Sequence, residues 1–141
     1  MSDERSLHHV GFVVAELGAA AEGFARSLAA AWDRQVYEDP LQKVKVTFLA
    51  TQPGEPLIEL VEPMGEDSPV HRFLRERGGG LHHVCYEVAA LEQEAAAMKS
   101  RGAMTVSRPK PAVAFQGRRI AWMLTAEKLL VELLERQAVP G

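Results

Sequence analysis

The sequence predicts an α+β fold built from two tandem βαβββ modules, whose mixed sheet curves into a cup with the helices on its outer side. Three observations lead to this prediction. The two halves of the chain repeat the same order of apolar patterns, and two short segments are nearly alike in both halves. Strand-type alternation and helix-type spacing also follow one another in the same order in each half. A repeat of this length indicates a duplication in which neither half buries its sheet face alone.

The repeat is clearest in two pairs of predicted strands. Residues 9–14 have the same pattern as residues 83–88, and residues 57–62 have the same pattern as residues 130–135. In each half a histidine opens the first of these strands, and a glutamate lies in the second. The matched settings indicate that these four residues serve a common purpose.

Those four residues are predicted to bind a metal ion. His9 precedes Glu59 by 50 positions, and His83 precedes Glu132 by 49. Strand side chains alternate between faces, so one choice of inward face directs each residue into a shared cavity. If the modules pair about a pseudo-twofold axis, each gives one imidazole nitrogen and one carboxylate oxygen. Such a set, with open positions, suits Zn²⁺, Co²⁺, Ni²⁺, Mn²⁺ or Fe²⁺, and the identity of the ion stays open.

A simpler explanation competes for each residue taken alone. A histidine or glutamate in a half-buried strand is more often a rim residue or one partner of an ion pair. Here both glutamates interrupt apolar runs, where an uncompensated carboxylate is strongly destabilising. Two equivalent buried carboxylates need a shared cation or paired partners, and four residues in register favour the cation.

Composition indicates a compact domain. The chain has 141 residues, 47% of them hydrophobic and 25% charged, which is ordinary globular usage. We expect a single domain over residues 1–141, with modules at 7–64 and 81–136 joined by a helix and a glycine-rich linker at 65–80. A net charge of −3 gives no broad basic surface, which argues against nucleic acid as a partner.

The chain carries no predicted signal for export or membrane insertion. Residues 1–6 are polar and precede only a short strand, so we expect neither a signal peptide nor a membrane span. The single cysteine, Cys85, excludes an internal disulfide and fits a reducing cytoplasm.

The elements of the first module follow from local patterns. After the opening strand, a helix is predicted by an apolar stripe at spacings of three and four. A strand is expected near residues 34–37, then a turn at 39–40 and an alternating, half-exposed strand over 44–48. Residues 52–55 indicate a hairpin turn into the Glu59 strand. The helical stripe comprises Leu17, Ala20, Ala21, Phe24, Leu28 and Ala31.

A short helix is predicted between the modules. Ser68 and Pro69 resemble its cap and first turn, and Gly78 would end it. Its inward residues would be Val70, Phe73 and Leu74.

The second module repeats the order of the first. Its helix would turn Leu91, Ala95 and Met98 toward the sheet and end at residues 101–102. Strands are then expected near residues 104–107, 118–124 and 129–134.

Several of these segments resemble a known superfamily. Residues 58–63, 67–70, 73–74 and 80–84 are similar, in residues and in spacing, to the central segment of methylmalonyl-CoA epimerases. Those enzymes belong to the vicinal oxygen chelate superfamily of glyoxalases and bleomycin-resistance proteins. The resemblance spans nearly the whole chain and implies a glyoxalase-like fold.

The resemblance also implies a site and an activity. His9, Glu59, His83 and Glu132 fall on the four metal-ligand positions of the family, where the Glu59 position is Gln or Glu, whereas His8 and His82 would face away. The implied function is a metal-dependent epimerase of a 2-carboxyacyl-CoA such as methylmalonyl-CoA, acting by proton abstraction and enolate stabilisation. Glu132 is the candidate base. A homodimer and an acyl-CoA substrate are also implied.

Two features depart from the family pattern. Some epimerases carry a second basic Glu where this chain has Val46, which cannot move a proton. Many also have a longer loop before the last strand, where this chain has only residues 124–128. Both departures concern the acyl-CoA substrate and the second acid/base rather than the metal ligands.

Other residues have simpler explanations beside functional ones. Cys85 shares the face of His83, but a buried thiol usually fills space. A basic cluster could meet the phosphates of a coenzyme A tail, although exposed charges on a loop are the rule. Phe48 and Trp122 are expected in the core or the wall of the cup. The basic cluster comprises Arg108, Lys110, Arg118 and Arg119.

Two other functions remain open. One is another glyoxalase-like isomerase or a metal-dependent lyase that uses the same kind of site on a smaller substrate. The other is a metal-free ligand-binding protein of the resistance type, which the four-ligand set argues against. A ring-cleaving dioxygenase is disfavoured, because iron oxygenase sites of this kind normally use two His and one carboxylate.

Overall fold

The computed structural model describes residues 5–137 and divides the chain into two compact units. The first unit is His9–His82. Within the described residues, the second unit combines residues 5–8 with residues 83–137. Residues 1–4, on which the expectation of no signal peptide partly depends, lie outside the described residues.

The first unit contains a mixed sheet and two helices. Its strand order is β2-β4-β5-β1, and β3 also pairs with β4. Strands β1 and β5 run parallel, whereas β4 is antiparallel to β2, β3 and β5. The elements are β1 (Ser6–Val13), α1 (Leu17–Leu28), β2 (Ala31–Trp32), β3 (Tyr37–Asp39), β4 (Val44–Ala50), β5 (Leu57–Pro63) and α2 (His71–Arg77).

Helix α1 covers one face of this sheet. It begins where the backbone N–H of Leu17 donates to a Glu62 carboxylate oxygen at 2.8 Å. Four members of its predicted apolar stripe pack on Phe12 and Leu60, which are directly opposite one another in β1 and β5. These four are Leu17, Ala20, Ala21 and Phe24. The prediction is wrong for Leu28, which is 47% exposed near the end of the helix. Because strand residues alternate, the residues next to Phe12 and Leu60 in each strand turn to the other face.

Two predicted boundaries in the first unit are wrong. Ala31 lies in β2 rather than on α1, and residues 34–36 lie in no strand, so that only Tyr37 of the expected strand belongs to one. Arg34 has a left-handed backbone with φ of 67°, and the Asp33 carboxylate accepts a hydrogen bond from the Gln35 N–H at 2.9 Å. This local turn separates β2 from β3, so the extended backbone resumes only at Tyr37.

Helix α2 also begins later than predicted. Ser68 forms a turn instead of a cap, since its carbonyl accepts from the His71 N–H at 3.1 Å and the helix starts at His71. The predicted end is confirmed: Gly78 has φ of 73°, and its N–H donates to the Leu74 carbonyl at 2.8 Å. Val70 is buried as expected.

The second unit repeats the arrangement with its own strands and helix. Its strand order is β6-β9-β8-β7, with β6 and β9 parallel and β8 antiparallel to both of its neighbours. The elements are β6 (Gly80–Val88), α3 (Leu91–Ser100), β7 (Met104–Pro111), a short 3₁₀ turn (Val113–Phe115), β8 (Arg119–Leu124) and β9 (Leu130–Glu135).

Helix α3 covers one face of the strands of this unit. The predicted inward residues are confirmed: Leu91 and Met98 are buried, and Ala95 packs against the same cluster. That cluster includes Val131 and Leu133 of β9.

Strand β7 is longer than predicted, because it reaches Pro111 and contains two register shifts. It lies at the end of the strand order of its unit. Proline is tolerated at such an edge, where no neighbouring strand needs its missing N–H.

Both units therefore show the predicted order of a strand, a helix and further strands, in an α+β fold. In the first unit, the strand after the helix is divided into β2 and β3. Within residues 5–137 no helix combines the length and apolar character that crossing a membrane requires.

Candidate metal centre

His9 and Glu59 form a buried pair in the first unit. Strands β1 and β5 place Gly11 directly opposite Glu59, so that His9, two residues before Gly11, points to the same face. This face is turned away from α1. The exposed fractions of His9 and Glu59 are 0% and 5%, and the His9 Nε2 lies 3.4 Å from the Glu59 Oε1.

His83 and Glu132 form the same arrangement in the second unit. Strands β6 and β9 place Cys85 opposite Glu132, and His83 shares the face of Cys85. The exposed fractions of His83 and Glu132 are 2% and 3%, and the His83 Nε2 lies 3.4 Å from the Glu132 Oε1. We call the sheet face that carries such a pair, in either unit, the ligand face.

The spacing within each pair fits two ligands of one cation. A neutral N–H···O hydrogen bond has its most common length at about 2.9 Å, which is shorter than the distance found in both pairs. Two donor atoms each about 2.1 Å from a tetrahedral ion lie roughly 3.4 Å apart. Imidazole nitrogen and carboxylate oxygen are also ligands that first-row divalent ions accept. Each unit therefore supplies two donors suited to such an ion.

An aromatic ring accompanies each pair. Phe48 lies directly opposite Glu59 in the β4–β5 register, and its ring contacts the His9 ring edge to face at 5.6 Å. Trp122 lies directly opposite Glu132 in the β8–β9 register, and its ring contacts the His83 ring at 4.8 Å. The sequence analysis predicted both aromatic residues in the core or the wall, but alternation alone did not pair them with His9, Glu59, His83 and Glu132.

The remaining positions of the ligand face in the first unit are largely apolar. Val46 is buried there, opposite Val61. Tyr37, which the sequence analysis did not single out, lies opposite Val46, and its ring is 6.2 Å from that of Phe48. An apolar wall of this kind lowers the local dielectric constant and strengthens electrostatic interactions at the pair.

The neighbouring histidines contact other aromatic rings. The His8 ring lies edge to face with Phe115 at 5.4 Å, and the His82 ring contacts Phe73 in the same way at 5.0 Å. Cys85 is fully buried, in agreement with a thiol that fills space.

Two members of the predicted basic cluster bind carboxylates of their own unit. Arg118 donates to Glu87 at 2.8 Å. Arg119 contacts Glu92 at 2.6 Å and Glu135 at 2.7 Å. Its guanidinium lowers the pKa of both carboxyl groups, and their hydrogen bonds raise the pKa of Arg119. These two arginines are therefore neutralised locally, which argues against a role in binding phosphate.

The segment between β8 and β9 is a tight, closed turn. The Thr125 N–H donates to the Leu129 carbonyl at 2.9 Å, and the Leu129 N–H donates to the Thr125 hydroxyl oxygen at 3.0 Å. Lys128 adopts a left-handed backbone with φ of 73°. The short loop predicted from the sequence is thus held by its own hydrogen bonds.

The α+β fold and the two buried His–Glu pairs are the features predicted for a glyoxalase-like protein. Comparison with known proteins identifies the family. Residues 8–122 match the Glyoxalase/Bleomycin resistance protein/Dioxygenase superfamily. The chain belongs to this superfamily.

Curated relatives include one uncharacterised protein and several epimerases. The chain is 30% identical to the uncharacterised protein YqjC of Bacillus subtilis over 92% of this chain and 91% of that protein. It is 33% identical to the ethylmalonyl-CoA/methylmalonyl-CoA epimerase of Cereibacter sphaeroides over 83% of this chain and 86% of the relative.

A solved structure supports the same assignment. The methylmalonyl-CoA epimerase of Mycobacterium tuberculosis superposes with a TM-score of 0.81 at 28% identity, covering 94% of this chain and 88% of the other. The glyoxalase-like fold predicted from the sequence is confirmed, as is the resemblance to the superfamily. The predicted enzyme class, an isomerase, is supported by these epimerase relatives.

Proposed function

We propose that this protein is a divalent-metal-dependent epimerase of a 2-carboxyacyl-CoA such as methylmalonyl-CoA. His9, Glu59, His83 and Glu132 would hold the ion together. The observation that carries the proposal is the recurrence of one buried His–Glu pair, with the same spacing of 3.4 Å, in both units. The curated epimerase relatives support the choice of reaction.

A shared ion is favoured over two separate ion pairs. Each pair alone offers two donors, whereas catalytic metal sites in proteins normally use three or more protein ligands. A buried histidine beside a buried carboxylate is also a weak source of stability without further compensation. Duplication of the pair supports a site that needs both copies, and we propose four ligands with open positions for substrate.

The chemistry follows from the donor set and the substrate class. When bound, a divalent cation would chelate two substrate oxygens and stabilise the negative charge that develops when C2 loses its proton. The Glu132 carboxylate would accept that proton, and return of a proton to the other face of C2 inverts the centre. Val46 has no titratable group, so the second acid/base is a different residue from the one that some epimerases use at this position.

Hydrogen exchange at C2 tests the reaction directly. Metal-loaded protein should incorporate deuterium from D₂O into methylmalonyl-CoA at C2, as measured by mass spectrometry. Glu132→Gln should lose most of this exchange and keep the fold. If the loaded wild-type protein gives no exchange above the buffer rate, this substrate is wrong.

Metal content tests the ligand set separately. We expect stoichiometric divalent metal in wild-type protein by elemental analysis, and its loss in His9→Ala and in His83→Ala. His82→Ala is the matched control, because His82 contacts the Phe73 ring instead. Metal retained in His83→Ala at the wild-type level would contradict the four-ligand assignment.

A smaller substrate is the second candidate. The closed turn at residues 125–129 and the local neutralisation of Arg118 and Arg119 both argue against a long anionic substrate tail at these positions. Hemithioacetal and 2-oxo acid substrates would test a glyoxalase-like isomerase or lyase. A metal-free resistance-type protein would be favoured only if the purified, chelator-free protein held no ion.

We also propose a homodimer in the cytoplasm. The superfamily resemblance supports the dimer, and the single buried cysteine fits a reducing compartment. Light scattering coupled to size-exclusion chromatography would measure the mass, and 15.5 kDa would indicate a monomer.

A further inference from the structure

We infer that Phe48 and Trp122 are positioning residues that fix the ring orientation of His9 and His83 for metal binding. This inference rests on the proposed metal function and extends it to two residues outside the ligand set. The function of each ring would be steric, because neither phenyl nor indole carbon can ligate the ion.

The strand register supports the inference first. Phe48 is directly opposite Glu59, and Trp122 is directly opposite Glu132, each across an antiparallel pair. Opposite residues in such a pair share a face at close range, so each aromatic side chain lies on the ligand face beside its glutamate. The same relation occurs in both units although the residue type differs.

The ring geometry supports it second. The Phe48 and His9 rings are inclined at 68° with centroids 5.6 Å apart, and the Trp122 and His83 rings are inclined at 83° at 4.8 Å. Both fall within the edge-to-face arrangement that aromatic pairs favour. Rotation of either imidazole about its Cβ–Cγ bond would break this contact. The aromatic neighbour therefore limits the directions in which the nitrogen lone pair can point.

Core filling explains the placement of the two rings less well than a positioning role does. The apolar clusters under α1 and α3 lie on the opposite faces of the sheets and contain neither Phe48 nor Trp122. Metal-bound histidines depend on hydrogen-bonded neighbours that hold the ring at the correct angle, and loss of such a neighbour commonly reduces metal affinity about 10–100-fold. We expect a packed aromatic ring to restrict rotation of the imidazole to a similar end.

The two contacts are unequal, which gives a graded expectation. The indole is larger and closer to its histidine than the phenyl ring is. We therefore expect Trp122→Leu to loosen His83 more than Phe48→Leu loosens His9. Trp122→Phe keeps an aromatic ring and should retain most of the restraint.

The first experiment measures cobalt binding. We expect Trp122→Leu to weaken Co²⁺ affinity about tenfold or more and to alter the visible d–d spectrum of the bound ion, with Trp122→Phe close to wild type. Trp32→Phe is the matched control, because the Trp32 indole donates to Thr47 at 2.8 Å and packs with the α1 cluster. Unchanged affinity and spectrum in Trp122→Leu would overturn the inference, even if that variant unfolds more easily.

The second experiment requires no metal and separates the two proposals. In metal-free protein, the ¹³Cε1–¹H NMR signal of His83 should be single and sharp in wild type and broadened or doubled in Trp122→Leu. If wild-type protein binds no Co²⁺, the metal function fails, and the inference then depends on this signal alone. An identical His83 signal in both proteins would overturn it.

Discussion

The two units carry the same His–Glu pair but surround it with different residues. Gly11 faces Glu59 in the first unit, whereas Cys85 faces Glu132 in the second. The aromatic partner is phenylalanine in one and tryptophan in the other. The His–Glu pair and the aromatic position are thus shared, whereas the residues around them differ. This indicates that the sequence is constrained at the pair and its ring.

The largest expected difference between the units concerns the two glutamates. Glu132→Gln should lose about 10³-fold or more in C2 exchange, because an amide cannot accept the proton. Glu59→Gln should keep most activity, since its proposed role is ligation and an amide oxygen can still bind the ion. Steady-state exchange rates at equal metal loading test this comparison. Equal losses in both variants would show that the units share the proton transfer or that neither glutamate performs it.

A second difference between the units lies at the carboxyl ends of β1 and β6, the first strand of each unit. In the second unit, the Val88 carbonyl accepts a hydrogen bond from the Arg136 N–H at 2.8 Å. In the first unit, Gly79 approaches the Val13 carbonyl so closely that an added Cβ would lie 2.6 Å from its oxygen.

Gly79→Ala should therefore destabilise the protein by about 2 kcal/mol or more, from the left-handed backbone and the clash together. Gly80→Ala is the matched control, because its backbone φ is also positive but nothing lies within 4 Å of the added atom. Urea unfolding would measure both. Equal losses in the two variants would mean that the clash with Val13 contributes nothing.

The last glutamate of each repeat gives a third comparison. Glu62 accepts from the Leu17 N–H at the start of α1, whereas its counterpart Glu135 binds the Arg119 side chain. Glu62→Ala should cost about 1 kcal/mol, because a helix N-terminus loses a partner. Circular dichroism during urea unfolding would detect the loss. A stability equal to wild type would show that water replaces the carboxylate without penalty.

The smallest expected effect is the pH dependence of the Glu135–Arg119 pair. Arg119 lowers the pKa of Glu135 below its ordinary value of 4.5. A carboxyl group with a lowered folded-state pKa stabilises the fold above its unfolded-state pKa, and this stabilisation is lost as the pH falls through the folded-state pKa. Glu135→Gln should therefore be less stable than wild type at pH 7, by about 0.5 kcal/mol for a partly exposed pair.

The stability difference between Glu135→Gln and wild type should shrink as the pH falls below 4.5. Thermal unfolding from pH 7 to pH 3 would follow it. A difference that grows toward acid would contradict the assigned direction of the pKa shift. Arg72→Gln is the control, because it removes an exposed i, i+4 pair between Arg72 and Glu76 on the surface of α2. Its stability difference from wild type is compared over the same pH range.

Most of the fold could be predicted because the hydrophobic pattern repeats. The positions of His9, Glu59, His83 and Glu132 on matched strands were evident from alternation, and both helices that cover the sheets were predicted from their spacing. Their proposed convergence on one ion depends on how the two modules pair, which the superfamily resemblance also implies, and it stays a prediction.

The errors have local physical causes. Arg34 adopts a left-handed backbone, which apolar patterns do not indicate, so the division into β2 and β3 was missed. Strand β7 continues through prolines because it lies at the edge of its unit, a fact that requires the strand order. Pairing of Phe48 with Glu59 likewise depends on register across strands, which no single strand specifies.

Strand β7 has a consequence for solubility during folding. Its first half exposes Met104 and Val106, whereas its second half contains Pro109 and Pro111, which lack the backbone donor that strand addition requires. Intermolecular pairing along this strand would therefore be confined to its first residues. A chain that exposes the strand before folding is complete is thus partly protected from aggregation through strand pairing.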